Sequence, residues 1–163
     1  MAHGDLAPDP DGRTLVAVFD SPVTTYLLHF AREAGYHTAL VEPDPARRAH
    51  RGGPHDLLAS VTEGAFGAQV DVVVTDHDRP ELGDLLAALL AHPTRWVGVM
   101  GSPRHSAPHL TALRSRGLPE DQIARVHRPI GLNIGSKSPP EIAISTLAGL
   151  LADRNGRPGG FDF

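Results

Sequence analysis

The sequence contains no cysteine. Disulfides, thiolate metal sites, iron–sulfur ligation and a covalent sulfur relay on these 163 residues are thereby excluded. No apolar run is long enough to cross a bilayer, and the opening MAHGDLAPDPDG lacks the apolar core of a signal peptide. A cytoplasmic protein without a membrane role is expected. Neither sign of charge dominates: the net charge is −4 with histidines neutral, which gives no basis for nucleic-acid binding. There is no His-Glu-x-x-His segment, no Gly-x-Ser-x-Gly nucleophile elbow and no phosphate loop ending in Gly-Lys-Ser/Thr. Ten histidines are present, and His105 and His109 stand four apart, at the spacing of one helix face. No third ligand accompanies them, so no metal site is expected and most histidines are expected at the surface.

What remains is an ordinary globular composition, 40% hydrophobic and 21% charged, on a length that suits one domain. Residues 1–12 are rich in proline and aspartate, and 155–163 (NGRPGGFDF) in glycine and polar residues, so both are expected as flexible tails around a domain spanning 13–154. Within that domain short apolar runs alternate with helix-period segments. LVAVF (Leu15 to Phe19), YHTALVE (Tyr36 to Glu42), QVDVVVTD (Gln69 to Asp76) and RWVGVMG (Arg95 to Gly101) read as strands, with ARVHRPIG as a short fifth. Tyr26, Leu27, Phe30 and Ala34 recur at helix spacing, and Gly35 follows as a natural C′ residue. PELGDLLAALLAH is an amphipathic helix, and a further helix ends at Gly117. The last helix has Pro139 at its first position, with Ser138 and Glu141 at capping-box spacing. Alternating strands and helices predict a single α/β domain, a Rossmann-like doubly wound parallel sheet.

Ligands of such sheets bind beyond the carboxyl ends of the strands. The loops there begin at Asp20-Ser21-Pro22, Glu42-Pro43-Asp44, Thr75-Asp76-His77-Asp78 and Gly101-Ser102-Pro103-Arg104. Glu42 stands 22 residues after Asp20, near the position where a dinucleotide-binding fold keeps its ribose-binding acid. An acid closing a strand as the chain returns to water explains it as well. The first turn is poor at holding phosphate, which needs glycines and free N–H groups. Pro22 removes one N–H, and Asp20 adds a like charge that repels an anion near 4 Å by roughly 4 kcal/mol at an effective dielectric of 20. Helix initiation accounts for the same residues, with Ser21 as cap and Pro22 at the first helical position. NAD(P) binding is therefore not expected.

Three blocks carry a more specific signal: VGVMGS (Val97 to Ser102), RGLPEDQIARVHRPIGLNIG (Arg116 to Gly135) and SPPEIAIS (Ser138 to Ser145). In that order they resemble the C-terminal Rossmann domain of the XdhC/CoxI family. The resemblance implies an accessory protein, rather than an enzyme, that matures the molybdenum cofactor (a molybdopterin) and inserts it into xanthine dehydrogenase-like molybdenum hydroxylases. It implies transient cofactor binding and, as partner, the hydroxylase apo-enzyme. A fuller family paralogue and a homodimer stand as further associations. The chain departs from the family pattern at the first turn, where Asp20, Pro22 and Val23 replace a Gly-x-Gly-His turn. The basic cluster after the fourth strand is thinned to Arg104 and His105, and the Thr-His segment reads Thr75-Asp76-His77. The family's cysteine-bearing N-terminal domain has no expected counterpart in this sequence.

The residues expected to bind cofactor are Gly101, Ser102, Arg104, Asp76, His77, Gly131, Asn133, Gly135 and Lys137. Gly101 lets a ligand approach the backbone, Ser102 offers a hydroxyl, and Arg104 pairs with phosphate. Each group also has a purely structural explanation. Ser102 or Ser106 can cap the next helix, with Pro108 favouring a start at Ser106, and Gly131 and Gly135 can serve a loop of unusual backbone angles. Two other functions remain open: a degenerate Rossmann module acting through protein contacts, and an NAD(P)-dependent oxidoreductase.

Overall fold

The structure is a computed structural model and describes residues 12–63, 66–102, 104 and 107–163. Six strands form one parallel sheet in the order β3-β2-β1-β4-β5-β6. They are β1 (Thr14–Val18), β2 (His37–Val41), β3 (Asp56–Leu58), β4 (Val70–Val74), β5 (Trp96–Val99) and β6 (Val126–His127). Strand order reverses between β1 and β4, so the cleft of a doubly wound sheet opens at their carboxyl ends. Strand β3 is not expected from the sequence. Its three residues are flanked by Gly52, Gly53 and Pro54 and are at most partly buried, which leaves too short a pattern for a period to register.

The central strands are buried on both faces, and the pleat sorts their side chains. Val16 and Val18 of β1 point with Val72, Val74, Val97 and Val99 toward helices α3 (Leu82–Leu90) and α4 (Pro108–Ser115). Leu15 and Ala17 point the other way, with Leu40 and Val73, toward α1 (Thr24–Glu33) and α6 (Pro139–Arg154). On α3, Leu82, Leu85, Leu86, Leu89 and Leu90 are buried, the stripe that helix periodicity requires. Two short helices, α2 (Pro45–Arg48) and α5 (Glu120–Ile123), complete the crossovers.

Helix ends follow the sequence in part. Gly35, at φ +89°, closes α1 as a Schellman turn, with Tyr36 N–H donating to the Ala31 carbonyl and Gly35 N–H to Arg32. Ser21 does not cap α1: the N-cap is Val23, and Pro22 lies outside the helix. Instead the Ser21 carbonyl accepts from Thr24 N–H, because the chain bends sharply after β1 before the helix begins. Pro139 occupies the first turn of α6 as expected, but the capping box does not form. The Glu141 carboxylate takes the hydroxyl of Ser136, which itself accepts from Ser138 N–H, so the capping partner lies two residues upstream of the cap. Helix α4 is capped by Ala107 with Pro108 in its first turn. Pro103, His105 and Ser106 lie outside the described residues, as do residues 1–11 of the expected N-terminal tail.

At the opposite, amino end of the sheet, Asp71 of β4 is fully buried and accepts from Arg95 Nε (2.5 Å) and Arg154 Nη1 (2.9 Å), tying β4, β5 and α6 together. Arg95 also reaches Asp153 at 2.8 Å. Removing one partner of a buried pair costs about 3–5 kcal/mol. Arg95 and Arg154 keep some solvent contact, so Asp71→Ala should lie near the lower end, about 3 kcal/mol, seen as a lower urea midpoint at unchanged slope. A loss below about 1 kcal/mol, the range of exposed pairs, would mean that water screens this network.

Candidate functional site

The carboxyl rim of the sheet divides into two halves of different character. Over β1 and β2 the protein fills the cleft with its own side chains. Phe19, directly after β1, is fully buried at φ 74°, a left-handed conformation rare for a bulky residue. The hydroxyls of Thr24 and Thr75 hold it there, donating to its carbonyl at 2.8 and 2.9 Å. Arg79 lies over the Phe19 ring, its guanidinium carbon 4.5 Å from the centroid.

Arg79 also grips Glu42 with both prongs, Nη1 to Oε2 at 3.0 Å and Nη2 to Oε1 at 2.7 Å. The Glu42 carboxylate further accepts the backbone N–H groups of Asp20 (2.8 Å) and Asp44 (2.9 Å). Its four acceptor sites are thus taken within the protein, and the side chain is fully buried. Burial alone would push its carboxyl up. The bonds from Arg79 and the two backbone donors outweigh that and hold it below the usual carboxylate range. Glu42 therefore has nothing left to offer a ribose. Asp20 is paired with Arg51 at 3.0 Å, so the first turn presents an internal ion pair where a phosphate-binding turn presents N–H groups.

The half over β4, β5 and β6 is different. His77 donates from Nδ1 to the carbonyl of Met100 at 3.1 Å, which joins the loop after β4 to the loop after β5. Asp76 is used locally, accepting Asp78 N–H at 2.9 Å. Ser102 does not cap a helix; its hydroxyl accepts Arg104 N–H at 3.2 Å, and Arg104 itself is exposed. Asp76, His77, Gly101, Ser102 and Arg104 thus lie on neighbouring loops of one rim. Arg128, one residue beyond β6, joins them by donating to the Ser102 carbonyl at 3.2 Å. Its guanidinium occupies the space that a Cβ on Gly101 would need, 2.5 Å away, so the missing side chain at Gly101 makes room for Arg128.

Gly131 lies three residues beyond Arg128. At φ +83° it presses against α6, where a Cβ would meet Ser145 Oγ at 2.8 Å, and the Ser145 hydroxyl donates to the Leu132 carbonyl at 2.6 Å. Asn133, Gly135 and Lys137 follow on an exposed strap that leads to Ser138, the cap of α6. The sequence alone does not single out Arg79, Phe19 or Arg128. Arg79 is signalled by being a lone base in the acidic stretch DHDRPEL, and Arg128 by its place just past the end of a strand. His109, noted for its spacing from His105, is buried in the first turn of α4. Among the described residues no cluster of three or more His, Asp or Glu side chains can hold a metal ion. No helix among them is long and apolar enough to cross a membrane.

Because the folded-state pKa of Glu42 lies below the unfolded value of about 4.3, its ionised form adds stability above that value. That stability disappears as pH falls through the lower, folded-state pKa. The stability gap between wild type and Glu42→Gln, measured by urea denaturation, should be constant from neutral pH to about pH 5 and narrow at more acidic pH. A gap that does not change with acidity would mean that the ionised carboxylate does not stabilise the rim.

The family model of the XdhC Rossmann domain matches residues 15–150. Among curated proteins, the Escherichia coli (strain K12) uncharacterized protein YqeB is 44% identical over 107 residues, which is 59% of this chain and 19% of that protein. The crystal structure of a xanthine dehydrogenase from Bacillus halodurans has a TM-score of 0.72 at 22% identity, over 88% of this chain and 45% of that one. At that identity the likeness is one of fold. This chain spans about a fifth of the first relative and less than half of the second. The family match runs from β1 into the last turns of α6, and this chain belongs to the XdhC Rossmann domain family.

Proposed function

We propose that this protein is a cytoplasmic accessory factor in the maturation of molybdenum hydroxylases, acting by delivering their pterin cofactor or by holding the apo-enzyme. The observation that carries this reading is the family match across the whole sheet. The Bacillus halodurans protein of similar fold, itself named a xanthine dehydrogenase, points toward the same class of client. The molybdenum cofactor is cargo here, a substrate held and released. Its phosphate suits the half of the rim where Arg104 is exposed and Ser102 and His77 lie on adjoining loops. With no cysteine among these residues, they supply no thiolate for the sulfur chemistry of such cofactors.

The residues do not fit a dinucleotide. Arg79, Glu42 and Phe19 occupy one another, and Asp20 faces Arg51. This geometry gives an oxidoreductase reading no support. A second reading, a Rossmann module working through protein contacts alone, is favoured by the exposed apolar residues Leu132 and Ile134 on the strap and Ile144 on α6. A homodimer or a fuller paralogue would meet that surface as readily as a client enzyme.

Deleting the gene in the host should lower molybdenum-hydroxylase activity and cofactor content without lowering the amount of hydroxylase polypeptide. Re-expressing the wild-type chain should restore both, and Arg104→Ala should restore less of each, since a charge-assisted hydrogen bond contributes roughly 1.5–3 kcal/mol. Fully loaded hydroxylases in the deletion strain, and in a double deletion with any paralogue, would sink the maturation reading. Separately, calorimetric titration with NAD(H) and NADP(H) should give no saturable heat at submillimolar ligand. A micromolar dissociation constant would show that the first turn accepts a dinucleotide after all.

A further inference from the structure

A cleft of about 440 Å³ opens between α4, α5 and the end of β6, within the size range of small-molecule sites, roughly 300–1,000 Å³. Its walls are largely apolar, from Leu110, Ile123, Val126 and Pro129. Two basic side chains stand in this apolar lining. Arg128 reaches it from the Ser102 carbonyl, and His109, 4% exposed, lines it from the first turn of α4. The Nδ1 atom of His109 is buried and has no hydrogen-bond partner among the described residues. A buried polar atom left unpaired is costly, and such an atom in the wall of a cleft marks a place where a ligand group restores the missing bond.

The charges around the cleft define what fits. Burial, and then the nearby guanidinium groups of Arg128 and Arg114, push the His109 imidazole down and favour its neutral form. Arg128 then supplies the one full positive charge among the described lining residues. At the outer end the Glu120 carboxylate is bound to Arg114 at 2.7 and 3.1 Å, so its charge is met from outside the cleft. One positive charge in an apolar lining suits one negative charge: a single carboxylate can sit beside Arg128 and leave its hydrocarbon part against Leu110 and Ile123, whereas a polyphosphate would bring charge that nothing in the lining balances.

We propose that this cleft binds a small organic monocarboxylate with an apolar body, its oxyanion received by Arg128 and the imidazole of His109. The site shares Arg128 with the Ser102–Arg104 rim but does not depend on the maturation reading. Arg128 connects the two places, touching Ser102 with one nitrogen while lining the cleft.

The probe is 1-naphthoate, with naphthalene-1-carboxamide as its uncharged counterpart, titrated calorimetrically into the full chain. One saturable site is expected for the carboxylate, with the carboxamide weaker by about tenfold or more, as the loss of a charge-assisted bond requires. Arg128→Gln should weaken naphthoate by a similar factor and leave the carboxamide unchanged. Ala124→Phe, at an exposed lining position, should block both probes while preserving the fold by circular dichroism. In the wild type the His109 imidazole nitrogen signals should move on titration. No saturable naphthoate binding, equal affinity for the two probes, or binding untouched by Ala124→Phe would overturn the proposal. If Arg128→Gln does not fold, the probe comparison and Ala124→Phe still decide. Hydroxylase maturation does not enter this experiment, so its failure leaves that reading intact.

Discussion

The buried carboxylate of Glu42 is the constraint around which the carboxyl rim is arranged. A charge removed from water must be paired and have its lone pairs satisfied, or it neutralises or unfolds its surroundings. Here Arg79 provides the charge, and the N–H groups of Asp20 and Asp44 complete the shell. Those four bonds hold the loops after β1, β2 and β4 in one arrangement. Arg79 in turn lies on Phe19, whose left-handed backbone is held by Thr24 and Thr75. The cleft where other doubly wound sheets receive a nucleotide is here a closed cluster of internal contacts.

The other half of the rim is built differently. There the loops after β4 and β5 meet through His77 and Met100, and Arg128 crosses from β6 to the Ser102 carbonyl. Arg128 also separates two kinds of surface, an exposed polar rim bearing Arg104 and an apolar cleft bearing His109. A Rossmann domain supports many functions because its sites are loop properties rather than sheet properties. In this chain the loops of one half close on one another through Arg79 and Glu42, and those of the other leave Arg104 exposed.

The fold is legible in the sequence because its signals are local. Strands buried on both faces read as apolar runs, α3 reads as a leucine stripe, and Gly35 and Gly117 mark helix ends through their left-handed backbones. Where the local signal is short or ambiguous, less can be read. Strand β3 has three residues, Ser21 has the composition of a cap without its geometry, and Glu141 bonds Ser136 rather than the cap residue. The candidate site is legible only as a set of loops. Asp76, His77, Gly101, Ser102 and Arg104 lie on adjoining loops, while Gly131 is a packing glycine against α6 and Asn133, Gly135 and Lys137 follow on the strap.

Sequence alone determined the α/β class, the parallel sheet, the family resemblance and the poor phosphate chemistry of Asp20 and Pro22, because each of these follows from residue type and near-neighbour spacing. Only the tertiary structure decided what Glu42 does. Its partner Arg79 is 37 residues away, and no local pattern tells a ribose-binding acid from one consumed by an ion pair. The same holds for Arg128, which meets Ser102 across 26 residues and takes the space left by Gly101. Burial and pairing depend on which loops the sheet brings together, and strand order, a long-range property of the chain, sets that.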